Sequence, residues 1–228
     1  MDSTVRMSDT LSSETPVIIS IEGNIGSGKS TLVSILQKKF ELNSEFCFLQ
    51  EPVDVWNTIK DEDDVTILER FYNDTEKFAF QFQMMAYISR LSILKNALKN
   101  KNYKYIISER CVYTDANVFA KMLYDDKKIT LIEYTIYKKW FNQFIEDIPD
   151  PIIIYVTTSP EIANERVIKR HRQGEHIPLE YLIKCNQYHI DWLGASSYKM
   201  LTLDGNEDIN KNPEIITEWL DIINGFIQ

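Results

Sequence analysis

The sequence has too few cysteines to staple a fold and too few cations to grip a polymer of phosphates. Only Cys47, Cys111 and Cys185 occur in 228 residues, scattered and odd in number. They form neither a disulfide framework nor a zinc-ligand spacing, which favours a reducing compartment. Basic residues are outnumbered: 25 Lys and Arg face 34 Asp and Glu, for a formal net charge of -9. Nucleic-acid affinity rests largely on cations that neutralise phosphates, so this balance weighs against a polymer-binding role. A few convergent cations can still hold one small polyphosphate. Long apolar runs are missing too. The longest, around Ile152 to Val156, is far too short to span a bilayer, and no basic-hydrophobic leader opens the chain. The expectation is a cytoplasmic protein with no membrane partner. Histidine is rare: His171, His176 and His189 show no ligand spacing and read as surface or structural residues.

What is present is an ordinary globular composition, with 44% hydrophobic residues. The length suits one α/β domain. Residues 1–15 are polar, rich in Ser and Thr, and carry Asp2, Asp9 and Glu14, a composition suited to a disordered tail. The domain is expected to fill 16–228. Short β-branched runs predict strands at Pro16–Glu22, Phe46–Gln50, Tyr105–Ser108, Pro151–Val156 and Met200–Leu203. Helical spacing predicts helices at Thr31–Phe40, Thr114–Tyr124 and Ile129–Ile145, and one or two over Phe71–Leu98. Strands separated by helices predict a five-stranded parallel sheet flanked by helices, with ligands beyond the strands' carboxyl ends. The acidic run Asp61–Asp64 reads as a solvated loop.

Gly23-Asn24-Ile25-Gly26-Ser27-Gly28-Lys29-Ser30 fits G-x-x-x-x-G-K-[ST], between a predicted strand and a predicted helix. Glycines let backbone N–H groups turn towards phosphate oxygens, and the following helix aims its positive end at the anion. Lys29 is placed to reach the terminal phosphates, and Ser30 to ligate magnesium. Glu51 ends the second strand before Pro52. It is either an acceptor for the proton of an attacking hydroxyl or an exposed strand-end glutamate. Glu109 and Arg110 end the third strand. Glu109 stands where such proteins hold magnesium through water, and Arg110 can bind phosphate or steady Glu51; the plain alternative is a surface ion pair. Arg166, Lys169, Arg170 and Arg172 read as a lid over the transferring phosphate or as a solvated basic helix end, with a break at Gln173-Gly174.

Gln83, Ala86 and Arg90 share one face of the long helix, with Phe82 beside it. Asp115 and Phe119 lie four apart on another helix, and Trp56 and Tyr72 add aromatics. Amide, guanidinium and carboxylate beside aromatic rings suit a nucleobase, with stacking worth about 1–3 kcal/mol per base. The aromatics taken alone are equally core packing.

These segments together resemble the deoxyribonucleoside kinases, the group that includes deoxycytidine and deoxyguanosine kinases. The likeness runs from Val17 to Leu203 through IEGNIGSGKSTL (Ile21–Leu32), EPVDVW (Glu51–Trp56), FAFQFQMMAYISR (Phe78–Arg90), ERCVYTDANVFA (Glu109–Ala120), RVIKRHRQGEHIPLEYL (Arg166–Leu182) and LTLDGNED (Leu201–Asp208). It implies a P-loop kinase fold with a short helical lid, ATP as donor, magnesium, a deoxynucleoside as acceptor and a homodimer. It implies Glu51 as general base on the 5′-hydroxyl, with Arg110 as its orienting partner. Gln83 would bond the base edge while Phe82, Phe119 and Trp56 line it. Tyr72 and Glu175 would hold the sugar 3′-hydroxyl. Arg166, Arg170 and Arg172 would be lid arginines, Arg166 also beside the donor adenine. The stretch 23–31, including Thr31, would cradle the phosphates, and the loop of Asp204 and Gly205 would lie near that adenine. Members centred on thymidine tend to lack the Arg and Asp found here at Arg90 and Asp115. The resemblance therefore implies deoxycytidine or purine deoxynucleosides ahead of thymidine. Three positions depart from the pattern: Cys111 replaces a usual Ser, Ala116 a larger residue, and the lid between Arg172 and Ile177 is one residue short. A nucleoside monophosphate kinase of thymidylate type and a non-catalytic nucleotide-binding module are the rival readings.

Overall fold

The run Val-Ile-Ile-Ser-Ile-Glu forms the central strand, β1 (Val17–Glu22), and every residue after Val17 is buried. Such a run, buried on both faces, requires cover on both sides. In this computed structural model, residues 15–172, 175–209 and 211–227 are described. The expected disordered tail and the break at Gln173-Gly174 therefore lie outside the described residues, Thr15 excepted.

β1 leads through α1 (Lys29–Lys39) to β2 (Phe46–Leu49). Then come α2 (Val53–Trp56), α3 (Ile67–Asn73), α4 (Thr75–Leu98) and β3 (Tyr105–Glu109). After β3, α5 (Val112–Thr114), a π-helical segment (Asp115–Ala120) and α6 (Lys121–Asp125) run on without a break, followed by α7 (Leu131–Ile145). The chain closes with β4 (Ile152–Thr157), α8 (Pro160–Arg170), α9 (Leu179–Ala195), β5 (Met200–Asp204) and α10 (Glu214–Ile227). The five strands are all parallel in the order β2-β3-β1-β4-β5, as the alternation of strands and helices predicts. Register pairs Ile21 with Glu109 and Glu22 with Tyr155, so the carboxyl ends of β1, β3 and β4 finish together. Strand order reverses around β1, and a crevice opens there.

One core lies under α4 and α7, with Tyr87, Leu91, Leu94, Tyr137 and Phe141. The other lies under α1 and α10, with Leu32, Val33, Leu36, Trp219 and Ile223. The predicted stretch Phe71–Leu98 splits at Asp74, whose φ of -145 and ψ of 74 break the helix and whose carboxylate caps α4 through the Lys77 N–H. Capping boxes at Thr66/Glu69 and Thr130/Glu133 start α3 and α7, each satisfying otherwise orphaned N–H groups. The buried stripe of α4 holds Ala79, Gln83, Ala86, Tyr87, Arg90, Leu91 and Leu94, so two strongly polar residues occupy core-facing positions. Helices α9 and α10 are not among the elements the periodicity predicts. Their signal is present nonetheless: Ile215, Trp219 and Ile223 recur every four residues in α10, and all three pack into the second core.

Among the described residues no group of three or more His, Cys, Asp or Glu side chains forms a metal cluster. The acidic loop is accounted for by ion pairs: Arg70 with Asp61 and Asp63, and Lys60 with Asp64. Among the described residues no helix is long and apolar enough to cross a membrane.

Candidate active site

The turn after β1 requires glycine. Gly26 has φ 81, and a Cβ there would lie 2.4 Å from the Ala163 carbonyl oxygen. Gly28, at φ 100, precedes α1 without a side-chain cap, which leaves the first N–H groups of that helix directed at the cavity. Lys29, the first helical residue, is buried, and its Nζ donates to the Asn24 carbonyl at 2.6 Å. Burial and the nearby Arg110 push the Lys29 ammonium down to about 7, despite the carboxylates of Glu109, Glu51 and Glu22. Lys29 therefore opposes folding below about pH 7 and does so progressively less as pH rises towards 10.5. The negative charge of a nucleoside triphosphate would favour the charged amine. Binding of ATP at pH 8 is thus expected to take up about one proton, and at pH 6 almost none. Titration calorimetry in buffers of different ionisation enthalpy measures this; equal heats in all buffers at pH 8 would exclude it.

Opposite the loop, Glu51 Oε1 accepts from Arg110 Nη1 at 2.8 Å and from Arg90 Nη2 at 3.0 Å. Burial raises the Glu51 carboxyl, but Arg110, Arg90 and Lys29 outweigh it and hold it down at about 2. Arg90 also binds Asp115 Oδ2 through Nε at 2.9 Å and the Glu109 carbonyl through Nη1 at 2.7 Å. One guanidinium thus ties α4, the end of β2, the end of β3 and the π-helical segment together. Burial lifts the Asp115 carboxyl to about 6, even against Arg90. Gln83 donates through Nε2 to the Asp115 carbonyl at 3.0 Å, which fixes its amide. Ser30 Oγ donates to Glu109 Oε1 at 2.7 Å. That places a hydroxyl and a carboxylate together at the mouth of the loop, hard oxygen donors of the kind that suit magnesium.

The aromatic wall is edge-locked. Phe82 stands T-shaped to Trp56 at 5.4 Å and stacks on Phe71 at 4.5 Å, while Trp56 Nε1 donates to Ser89 Oγ at 2.9 Å. Phe119 lies 5.1 Å from the Arg110 guanidinium carbon. Burial raises the Tyr72 hydroxyl, helped by the Glu175 and Glu51 carboxylates nearby. Arg170 forks onto Glu175, with Nε to Oε2 at 2.8 Å and Nη2 to Oε1. Arg166 reaches the Ser27 carbonyl at 3.4 Å and the Glu207 carbonyl at 3.1 Å, linking the lid helix to both the loop and the segment after β5.

These groups line one cavity of about 620 Å³, within the range of small-molecule sites. Ile25 to Thr31, Glu51, Trp56, Tyr72, Phe82, Gln83, Arg90, Glu109, Arg110, Asp115, Phe119, Arg166, Arg170, Arg172, Glu175 and Gly205 are all on its wall. Gly23, Asn24 and Asp204 are not among the wall residues. Gly23 is packed against the sheet, where a Cβ would meet the Val156 carbonyl oxygen at 2.5 Å. Asn24 is buried, with Nδ2 on the Leu182 carbonyl at 2.9 Å and Oδ1 on the Ile25 N–H. Asp204 turns into its own loop, accepting from Asn206 N at 2.9 Å. Sequence reasoning misses Leu68, Phe71, Leu123, Tyr181 and Trp219 on the wall. The spacing of Leu68 and Phe71 on α3 was available as a signal; Tyr181 and Trp219 sit on the two unassigned helices.

A parallel sheet carrying a lysine-bearing glycine loop at its central strand is the P-loop nucleotide-binding class, and here the loop faces a chamber sized for a second small molecule. The family model described as deoxynucleoside kinase matches residues 19–228. Human deoxycytidine kinase is 34% identical over 231 residues, covering 88% of each chain. Deoxycytidine kinase 1 of Xenopus laevis is 36% identical over 227 residues, covering 86% of this chain and 84% of the relative. The mitochondrial deoxyguanosine kinase of Xenopus laevis is 29% identical over 238 residues, covering 92% and 89%. The chain belongs to the deoxynucleoside kinase family, a family of ATP-dependent nucleoside kinases.

Proposed function

We propose that this chain transfers the γ-phosphoryl group of ATP to the 5′-hydroxyl of deoxynucleosides, deoxycytidine and purine deoxynucleosides ahead of thymidine, in nucleotide salvage. One domain over residues 16–228 carries the activity. The observation that supports this best is the shared oxygen of Glu51, gripped by Arg110 and Arg90 across the cavity from Lys29.

In the reaction the 5′-oxygen forms the new bond to the γ-phosphorus as the bond to the β,γ-bridging oxygen breaks. ADP leaves, and the hydroxyl proton passes to Glu51. A carboxyl near 2 is a weak base. Two effects reconcile it with this role. The transition state is loose, so the proton moves late. The donor's negative charge also offsets the cations that depress Glu51. Arg110 fixes the carboxylate, Lys29 meets the phosphates, and Arg166, Arg170 and Arg172 screen them from water. Ser30 and Glu109 would hold magnesium, which when bound neutralises charge on the phosphate oxygens. Tyr72 and Glu175 hold the 3′-hydroxyl.

Gln83, Arg90 and Asp115 give the base slot a donor and acceptor set whose members lose their partners when the wrong ring enters. Thymidine is expected to show a kcat/KM lower than that of deoxycytidine by about 10-fold or more. A phosphoryl-transfer assay with ATP and magnesium, offering the four deoxynucleosides beside the four monophosphates, tests both levels. Turnover of monophosphates alone would move the chain to the monophosphate kinases. Thymidine as the best acceptor would overturn the base preference.

A second copy of the chain is the proposed partner. Ile132, Ile136, Trp140 and Phe144 recur every four residues along α7 and are 73%, 40%, 48% and 36% exposed, a stripe that fits a homodimer contact better than water.

A further inference from the structure

Glu22 ends β1 immediately before the glycine loop and is fully buried, yet no step of the reaction above uses it. Its Oε1 accepts from the Ser20 hydroxyl at 2.6 Å, the Thr114 hydroxyl at 2.7 Å and the Cys111 N–H at 2.9 Å. Its Oε2 has no hydrogen-bond partner among the described residues. A buried carboxylate with one oxygen unpaired is a costly way to fill space, and an apolar side chain would do that better.

The bonds lead to the acceptor side of the active site. Cys111 follows Arg110, whose φ of 60 lies in the left-handed region that side chains with a Cβ rarely adopt. The Arg110 N–H is held by the Ile21 carbonyl at 3.0 Å. The strained turn is therefore fastened on both sides by β1, through the Ile21 carbonyl before it and the Glu22 carboxylate after it. Cys111 also stands at the start of α5 and supplies no side-chain cap of its own. Glu22 satisfies that helix start from across the fold, and the same helix runs directly into Asp115.

We propose that Glu22 is a positioning residue: its carboxylate holds the Arg110 turn so that Arg110 Nη1 meets Glu51. This rests on the reading of Glu51 and Arg110 in the reaction above.

The test compares Glu22→Gln, which keeps an acceptor oxygen, with Glu22→Ala, which does not. Each is made in the parent and in Arg110→Ala. Turnover is expressed per ATP-binding site, at a temperature well below the unfolding transition, so that unfolded protein does not count. In the parent, Glu22→Ala is expected to lower kcat about 30- to 100-fold with KM for ATP changed less than about threefold, and Glu22→Gln to stay within about threefold. In Arg110→Ala the Glu22→Ala loss should shrink to less than about threefold, because residues that act as a unit are not additive. Thr114→Val, which removes one bond to Glu22, should show a smaller loss that likewise disappears in Arg110→Ala; it carries the same cycle where Glu22→Ala does not fold. A kcat unchanged by Glu22→Ala, or losses that multiply in full on top of Arg110→Ala, would overturn the positioning role while the reaction assignment stands. A parent that turns over no deoxynucleoside would overturn both.

Discussion

Glu51→Gln is expected to lose about 10²- to 10⁴-fold in kcat while still binding ATP and unfolding cooperatively. The amide keeps the shape of the carboxyl and one oxygen that Arg110 and Arg90 can reach, so the connection between strand end and helix survives. It loses the charge and the ability to take a proton from the 5′-hydroxyl. The donor site, formed by the glycine loop and the start of α1, is untouched. The effect should therefore fall on kcat and leave KM for ATP near the parent's. A steady-state series with a calorimetric ATP titration and a melting curve separates the outcomes. If kcat stayed within about threefold of the parent, Glu51 would be a strand-end glutamate with no part in the chemistry. The pH profile carries a second signature. In the free protein the Glu51 carboxyl lies at about 2, so kcat/KM should show no acid limb from this group between about pH 5 and 8.

The donor half of the site was readable because its chemistry is local. The order of residues from Gly23 to Ser30 dictates the turn, the helix start and the lysine. Strand-end logic likewise singled out Glu51 and Glu109. What could not be read were contacts decided by distant sequence. The Asn24 side-chain amide donates to the carbonyl of Leu182, 158 residues on. Glu22 reads as the polar end of a buried strand. Its bonds to Cys111 and Thr114 exist only once β3 is registered beside β1. The missed helices α9 and α10 have another cause. Their buried stripes are narrow, Leu182, Cys185, His189 and Leu193 in one and Ile215, Trp219 and Ile223 in the other, and the charged residues between them, such as Lys184, Asp191, Glu218 and Asp221, face outward.

Arg90 is where the acceptor half departs furthest from what periodicity alone implies, and its removal should be costly. Arg90→Met keeps much of the side-chain volume and the helical propensity, but removes the bonds to Asp115, Glu51 and the Glu109 carbonyl. Asp115 is only 2% exposed, so its carboxylate is left buried without its cation. Breaking a buried pair from one side costs about 3–5 kcal/mol, which for a chain of this size lowers Tm by roughly 6–20 °C. The dependence on pH follows from the two acids. Glu51, held at about 2 against an ordinary 4.5, adds stability above pH 4.5 that disappears as pH falls towards 2. Asp115, lifted to about 6 from 3.8, does the opposite, and stability declines as pH rises from 3.8 through 6. Without Arg90 both carboxyls move upward, but Arg110 and Lys29 still hold Glu51 down. Asp115 is then neutral at pH 5, whereas at pH 7.5 it remains charged or pays to protonate. The destabilisation should therefore be larger at pH 7.5 than at pH 5. Denaturant unfolding of parent and variant at the two pH values reads it directly. An equal loss at both would mean that Arg90 stabilises through packing of its alkyl chain, and that the charge on Asp115 is already relieved in some other way.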